Sequence, residues 1–223
     1  MRQTYLDFLR AIAVIWMIIF HVAYDMRMFH LNGIDFSTGF WFAFPRLIAG
    51  TFLFCVGISL NYTHAQGINQ KAMWKRLKQL GVAAFLVSVG TLIVFPEQWV
   101  FFGTLHCILA GSLLGAFFVQ RRSWAWVVMV ILLVLQYGLN YDIKWVSAIL
   151  KKPSMDFIPI YPWFWVILLG ILTGPYLSRI EALKRLPSVK FFNFLGRHSL
   201  LIYLLHQPLI FGALYLLQFL RSR

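Results

Sequence analysis

The chain has 223 residues, of which 61% are hydrophobic and only 12% charged, with 22 Phe and 9 Trp. A soluble domain carries about a quarter charged residues, so this composition excludes that class and points to a polytopic membrane protein. Its length predicts one compact all-α bundle over 1–223 with no separate soluble domain, and the formal net charge of +13 must be set against topology before any nucleic acid is invoked.

Long apolar runs predict about seven spans, near 6–24, 39–60, 78–95, 98–120, 123–141, 160–178 and 197–220. The first has no short apolar region followed by a small-residue cleavage site, so it reads as a retained helix rather than a signal peptide. Within "LDFLRAIAVIWMIIFHVAYDM", Asp7, Arg10, His21 and Asp25 fall within about 60° around a helix axis. The rest of the circumference is apolar. One wall of this helix is therefore polar from end to end, and it must face other helices or a wet cavity. Arg10 and His21 are separated by about 16 Å of rise, roughly half a hydrocarbon core.

The third and fourth spans are predicted to meet at the tight "FPEQW" turn, and the fourth and fifth at "QRRS". One set of connections holds Arg2, Arg10, Lys71, Lys75, Arg76, Lys78, Arg121, Arg122, Arg179, Lys184, Arg185, Lys190 and Arg197. The opposite set holds Arg27, Lys144, Lys151, Lys152, Arg221 and Arg223. The positive-inside rule then predicts a cytoplasmic N-terminus and an external C-terminus. Topology explains most of the positive charge, and no nucleic-acid partner is expected. Seven spans so oriented also fit a rhodopsin, but the last span lacks the lysine that a retinal Schiff base requires. "KAMWKRLKQL" and "RIEALKRLPSVK" read as basic interfacial helices, suited to anionic lipid headgroups or to a polyphosphorylated cytosolic ligand. Cys55 and Cys107 lie in apolar segments without CxxC or HExxH spacing, which predicts neither a disulfide framework nor a metal site.

With that orientation, His21 and Asp25 on the first span, Arg46 on the second and His106 on the fourth fall in the outer half of the bundle. Asp156 lies just outside the sixth span. His206 and Tyr203, one turn apart, are near the midplane of the seventh. A charge at such depth costs a few kcal/mol, so Asp25 or Asp156 is expected against Arg46, with the imidazoles hydrogen-bonded among them. Taken singly, each His also fits a helix–helix hydrogen bond. Five segments contributing at matching depth point to a site, with His21 as the proton-handling group and Asp25, one turn on, orienting its ring.

"LDFLRAIAVIWMIIFH" resembles the opening helix of the transmembrane acyltransferase superfamily, in which an Asp-x-x-Arg-Gly-like element precedes a His eleven residues after the Arg; Ala11 stands where many members have Gly. "IAGTFLFCVGISL" (48–60), "FFGTLHCI" (101–108), "DFIPIYPWFWVILLGILTG" (156–174) and "FLGRHSLLIYLLHQPL" (194–209) resemble bacterial membrane proteins related to the catalytic domain of heparan-α-glucosaminide N-acetyltransferase. The resemblance implies a multi-pass protein of the bacterial cytoplasmic membrane that moves an acetyl or acyl group from cytosolic acyl-CoA to an amino or hydroxyl group on the far side. It implies CoA phosphates at Arg10, Lys75, Arg76, Arg121, Arg122 and Arg197. His21 would act as general base or acyl carrier, Arg46 and His106 as oxyanion donors, and Asp156, Tyr203, His206 and Trp163 would bind substrate. A small or lipid-linked, sugar-like acceptor suits the short loops, membrane lipids surround the bundle, and a Phe- and Trp-rich face suits a homodimer. The competing readings are a transporter or flippase for an anionic or glycosylated lipid, with His21, His106 and His206 as a proton relay, and a scaffold whose polar groups only specify packing.

Overall fold

The computed structural model describes residues 4–141, 154–177, 179–184 and 189–221. Arg2, Lys144, Lys151, Lys152, Arg185 and Arg223, assigned above to the loop charges, lie outside the described residues. The helices are α1 (Thr4–Met28), α2 (Gly39–His64), α3 (Gln70–Val94), α4 (Thr104–Phe118), α5 (Arg122–Leu133, continued by a π-turn over Val134–Gly138), α6 (Ile160–Leu177), α7 (Glu181–Lys184), α8 (Lys190–Arg197) and α9 (Ser199–Arg221). Among the described residues, α1, α2, α3, α6 and α9 are long and apolar enough to cross a membrane. Two shorter apolar helices, Thr104–Phe118 and Arg122–Gly138, stand where the fourth and fifth spans were predicted. The molecule is a polytopic helical bundle.

Three boundaries differ from the sequence expectation. Asn69 caps α3, its Oδ1 accepting the Ala72 amide at 3.0 Å, so the basic stretch 71–80 belongs to the third span instead of forming a separate interfacial helix. The fourth span starts at Thr104, not 98. Residues 98–103 are extended, with a parallel bridge between Phe102 and Phe157 and a hydrogen bond from the Met155 amide to the Gln98 carbonyl, which suits their aromatic and β-branched side chains. The last span is preceded by α8, and the break at His198 separates them. The stretch 179–190 supplies only the four residues of α7 before 185–188, which lie outside the described residues.

By contacts the chain divides into two compact units, Met1–Phe52 with Glu181–Arg223, and Leu53–Ile180. In the first, α1 packs against α8 and α9. Gly196 allows α8 to lie on the backbone of Asp7, where any Cβ would collide, and Phe8 meets Phe192 at 4.9 Å between ring centres. Met17, Phe44 and Ile48 form its core, flanked by Trp16, Phe20 and Trp41. After α1 the chain reverses through His30 at φ +56°, with Leu31 N–H donating to Met26 and His30 N–H to Arg27. Asp35 then makes a turn into α2, accepting from the Ser37 amide, the Ser37 hydroxyl and the Thr38 hydroxyl. Those three donors hold its carboxyl down to about 2.

In the second unit α3 packs on α4, and α6 packs on α4 and α5. The second half of α2 lies against α6 through Gly57 and Gly170, where a Cβ on either would run into the opposing backbone. The Asn61 amide adds a 2.6 Å hydrogen bond to the Ile171 carbonyl. Gly57→Ala should therefore lower the melting temperature of the detergent-solubilised protein, at a cost of about 1–3 kcal/mol. Gly81→Ala, in open space on α3, should be neutral or stabilising by up to about 1 kcal/mol; equal losses would contradict the close packing. The depressed Asp35 carboxyl makes the turn fully stabilising above its ordinary 3.8 and progressively less so as pH falls through about 2. An NMR titration of the Ser37 amide should show that low midpoint.

Candidate active site

The polar wall of α1 faces protein. Asp7 and Asp25 are buried, and Arg10 forms an ion pair with Asp7 at 3.7 Å along the same helix. What the wall meets at its far end is a dipeptide of α9. The ring of His206 approaches that of His21 edge-on, 4.7 Å between centres. Gln207, the next residue, places its Nε2 at 2.9 and 3.1 Å from the two carboxylate oxygens of Asp25. Adjacent helical residues point about 100° apart, so one dipeptide serves two residues of α1 that are themselves a turn apart.

The hydrogen-bond partners fix the chemistry of each group. His206 Nδ1 lies 2.7 Å from the Tyr203 carbonyl. A carbonyl only accepts, so Nδ1 carries the proton; when the ring is neutral, Nε2 is then a bare lone pair. The Gln207 amide turns its nitrogen toward the Asp25 carboxyl, donating to both oxygens. Among the described residues, three buried side-chain atoms then have no hydrogen-bond partner: His21 Nδ1, His206 Nε2 and Gln207 Oε1. Native interiors rarely leave such atoms unpaired, and each costs about 1–3 kcal/mol. Two of them, His206 Nε2 and Gln207 Oε1, only accept. One turn beyond His21, an open cleft of about 410 Å³ is lined by Tyr24, Arg27, Asp35 and Phe36.

Two expected pairings are corrected. Asp25 is held by Gln207 rather than by Arg46, and it is not bonded to His21, because the α9 amide reaches the carboxylate first. Arg46 is exposed, stacks on the Phe42 ring at 3.7 Å and donates to the Phe42 carbonyl of its own helix. Tyr203 is half-buried, its ring 5.6 Å from that of His206.

The remaining predicted residues lie in the second unit or at exposed helix ends. His106 Nδ1 accepts the Gly103 amide at 3.2 Å, which leaves Nε2 to donate to Ser88 Oγ at 3.2 Å; the Ser88 hydroxyl donates to the Val100 carbonyl at 2.7 Å. Every proton in this chain is assigned, so both ring nitrogens of His106 are engaged. Asp156 caps α4 from outside it, accepting the Thr104 amide at 2.7 Å and the Thr104 hydroxyl at 3.3 Å. Trp163 is half-buried on α6. Cys107 donates weakly to the Pro159 carbonyl. Of the predicted phosphate-binding residues, Lys75, Arg121, Arg122 and Arg197 are exposed, whereas Arg76 is half-buried and donates to Ser112 at 3.4 Å. Arg121 stacks on Phe117. Gln207, Ser88 and Thr104 escape the sequence reading because they are uncharged; the polar pair "HQ" before Pro208 in an apolar span was the available signal.

The sequence matches the family model described as "Heparan-alpha-glucosaminide N-acetyltransferase, catalytic" over residues 2–208. No curated protein and no solved structure matches it.

Asp156→Ala should destabilise the α4 start by about 1–3 kcal/mol, and Asp156→Asn, which keeps one acceptor, by less. Thermal unfolding of the two variants checks the order.

Proposed function

Because this chain belongs to the catalytic family of heparan-α-glucosaminide N-acetyltransferase, an acetyltransferase family, we propose that it moves an acetyl group from cytosolic acetyl-CoA to an amino or hydroxyl group presented at the opposite membrane face. The observation that carries this reading is the buried His21–His206 pair, with a ring nitrogen of each unpartnered. Acyl transfer from a thioester needs a base for the acceptor's proton, a site for the acyl carbon and stabilisation of the oxyanion. His206 Nε2 supplies the base, since its tautomer is fixed by the Tyr203 carbonyl. His21, in contact with it, either relays the proton or carries the acetyl group.

The acceptor N–H or O–H proton passes to imidazole, the acceptor heteroatom bonds to the thioester carbonyl carbon, and collapse of the tetrahedral intermediate breaks the C–S bond. The CoA thiolate leaves and takes up the proton. Arg46 is the oxyanion candidate. His106 enters as a positioning residue that holds the α4 start, since both its nitrogens are engaged. Arg10, Lys75, Arg76, Arg121, Arg122 and Arg197 are the candidates for the CoA phosphates, on the expected cytoplasmic side. The acceptor is a small or lipid-linked, sugar-like molecule, and the exposed faces of the bundle sit in lipid, with a homodimer as the expected assembly.

His21→Ala and His206→Ala should each reduce acetyl transfer from acetyl-CoA by about 100-fold or more while the melting temperature shifts by only a few degrees. His106→Ala should lower stability more than turnover. A fully active His21→Ala protein, or saturating acetyl-CoA that leaves the melting temperature unchanged, would remove the basis of the reading.

A further inference from the structure

The cleft at the end of α1 holds two opposite charges that do not meet. Both α1 and α2 are long and apolar enough to cross a membrane, so their connection, 29–38, emerges at a membrane face, and the cleft of about 410 Å³ opens there. Arg27 and Asp35 line it and are exposed. The Arg27 charge acts on Asp35, yet among the described residues no ion pair joins them. Asn32 holds them apart. Its Nδ2 donates to the Ala23 carbonyl of α1 at 2.9 Å, its Oδ1 accepts the Ile34 amide at 3.1 Å, and its own carbonyl accepts from Arg27 at 3.4 Å. Asp35 is engaged instead by the Ser37 amide and by the Ser37 and Thr38 hydroxyls, and its carboxyl, held down to about 2, is ionised at neutral pH. A carboxylate offers about four acceptor sites, and a guanidinium more donors than one carbonyl uses, so each charge keeps capacity for a ligand. Tyr24 and Phe36, edge to face with 5.3 Å between ring centres, form an aromatic wall of the same cleft.

We propose that this cleft is a binding site for a zwitterionic phospholipid headgroup of the phosphoethanolamine class, its phosphate on Arg27 and its ammonium on Asp35 against the Tyr24 and Phe36 rings. The site is independent of the acyl-transfer reading. A purely anionic ligand drawn to Arg27 is repelled by Asp35, and a purely cationic one meets the reverse. A zwitterion satisfies both. Guanidinium suits phosphate oxygens, and an ammonium gains from a carboxylate and from aromatic faces together. At a membrane face, the molecule that carries these two charges on neighbouring groups is a lipid. Its amine is primary rather than trimethylated, because Asp35 accepts hydrogen bonds and a trimethylammonium has none to give. Seated there, the headgroup ties the α1–α2 connection to the bilayer.

The test titrates the full chain, purified in dodecyl maltoside, with dioleoyl phosphatidylethanolamine, phosphatidylcholine and phosphatidylglycerol, and reads retained lipid by native mass spectrometry. The wild type should hold the ethanolamine lipid about 10-fold more tightly than either of the others. Arg27→Gln should weaken all three lipids, since each carries a phosphate. Asp35→Asn should remove the ethanolamine preference and leave the other two lipids no weaker; the new side chain keeps an oxygen for the Ser37 amide, so the turn survives. A merely structural role for either residue would lower the melting temperature and weaken the three lipids alike in both variants. Equal retention of the three lipids by the wild type overturns the proposal whatever the variants do, and so does an ethanolamine preference that persists in Asp35→Asn or binding that Arg27→Gln leaves unchanged. Free glycerophosphoethanolamine, added at the concentration of the lipid, should not displace it. Displacement would assign the cleft to a soluble zwitterion and overturn the lipid as its occupant.

Discussion

The carboxyl of Asp25 is fully buried. In a bilayer each buried polar group must find its partner within the protein, and on α1 that partner is the Gln207 amide of α9. Much of the candidate site depends on this one contact. It ties the end of α1 to the middle of α9, brings His206 against His21, and orients an amide whose two ends are chemically opposite. Were the contact merely a packing bond, the remaining atoms would be expected to find partners as well. They do not: among the described residues, three acceptor-capable side-chain atoms stay buried and unpaired.

The second unit handles the same constraint in the opposite way. His106, Ser88 and the Val100 carbonyl form a closed chain of donors and acceptors, and Asp156 is consumed in capping α4. Gly57 and Gly170 bring two helices together without side chains between them, a common means of association where lipid supplies no hydrophobic driving force. Polar groups that are satisfied stabilise a fold; those left unsatisfied at a defined place are candidates for chemistry. By that criterion the His21–His206 pair and His106, equivalent as isolated histidines in apolar helices, have different standing.

Apolar run length is a one-dimensional property, and the span positions were accordingly legible: α1, α2 and α6 begin and end within a few residues of expectation. The misreadings share a cause. Lys71, Lys75 and Arg76 lower the hydropathy of the α3 start without weakening its helix, which Asn69 caps, and residues 98–103 are as apolar as a span but are held extended by residues 155–158. Family membership was legible as well, because its motifs run through most of the chain. Gln207 was not, since a reading that follows ionisable side chains passes over an uncharged amide.

By itself the sequence determined that the chain is a helical membrane protein and that one wall of α1 must face protein. Those follow from composition and from the 3.6-residue period. Tertiary structure decided the pairings: Gln207 rather than Arg46 for Asp25, the Tyr203 carbonyl for His206, Gly103 and Ser88 for His106. A hydrogen bond is decided by distances of a few tenths of an ångström between residues as many as 182 positions apart, and no local pattern along the chain encodes which of several suitable partners arrives first.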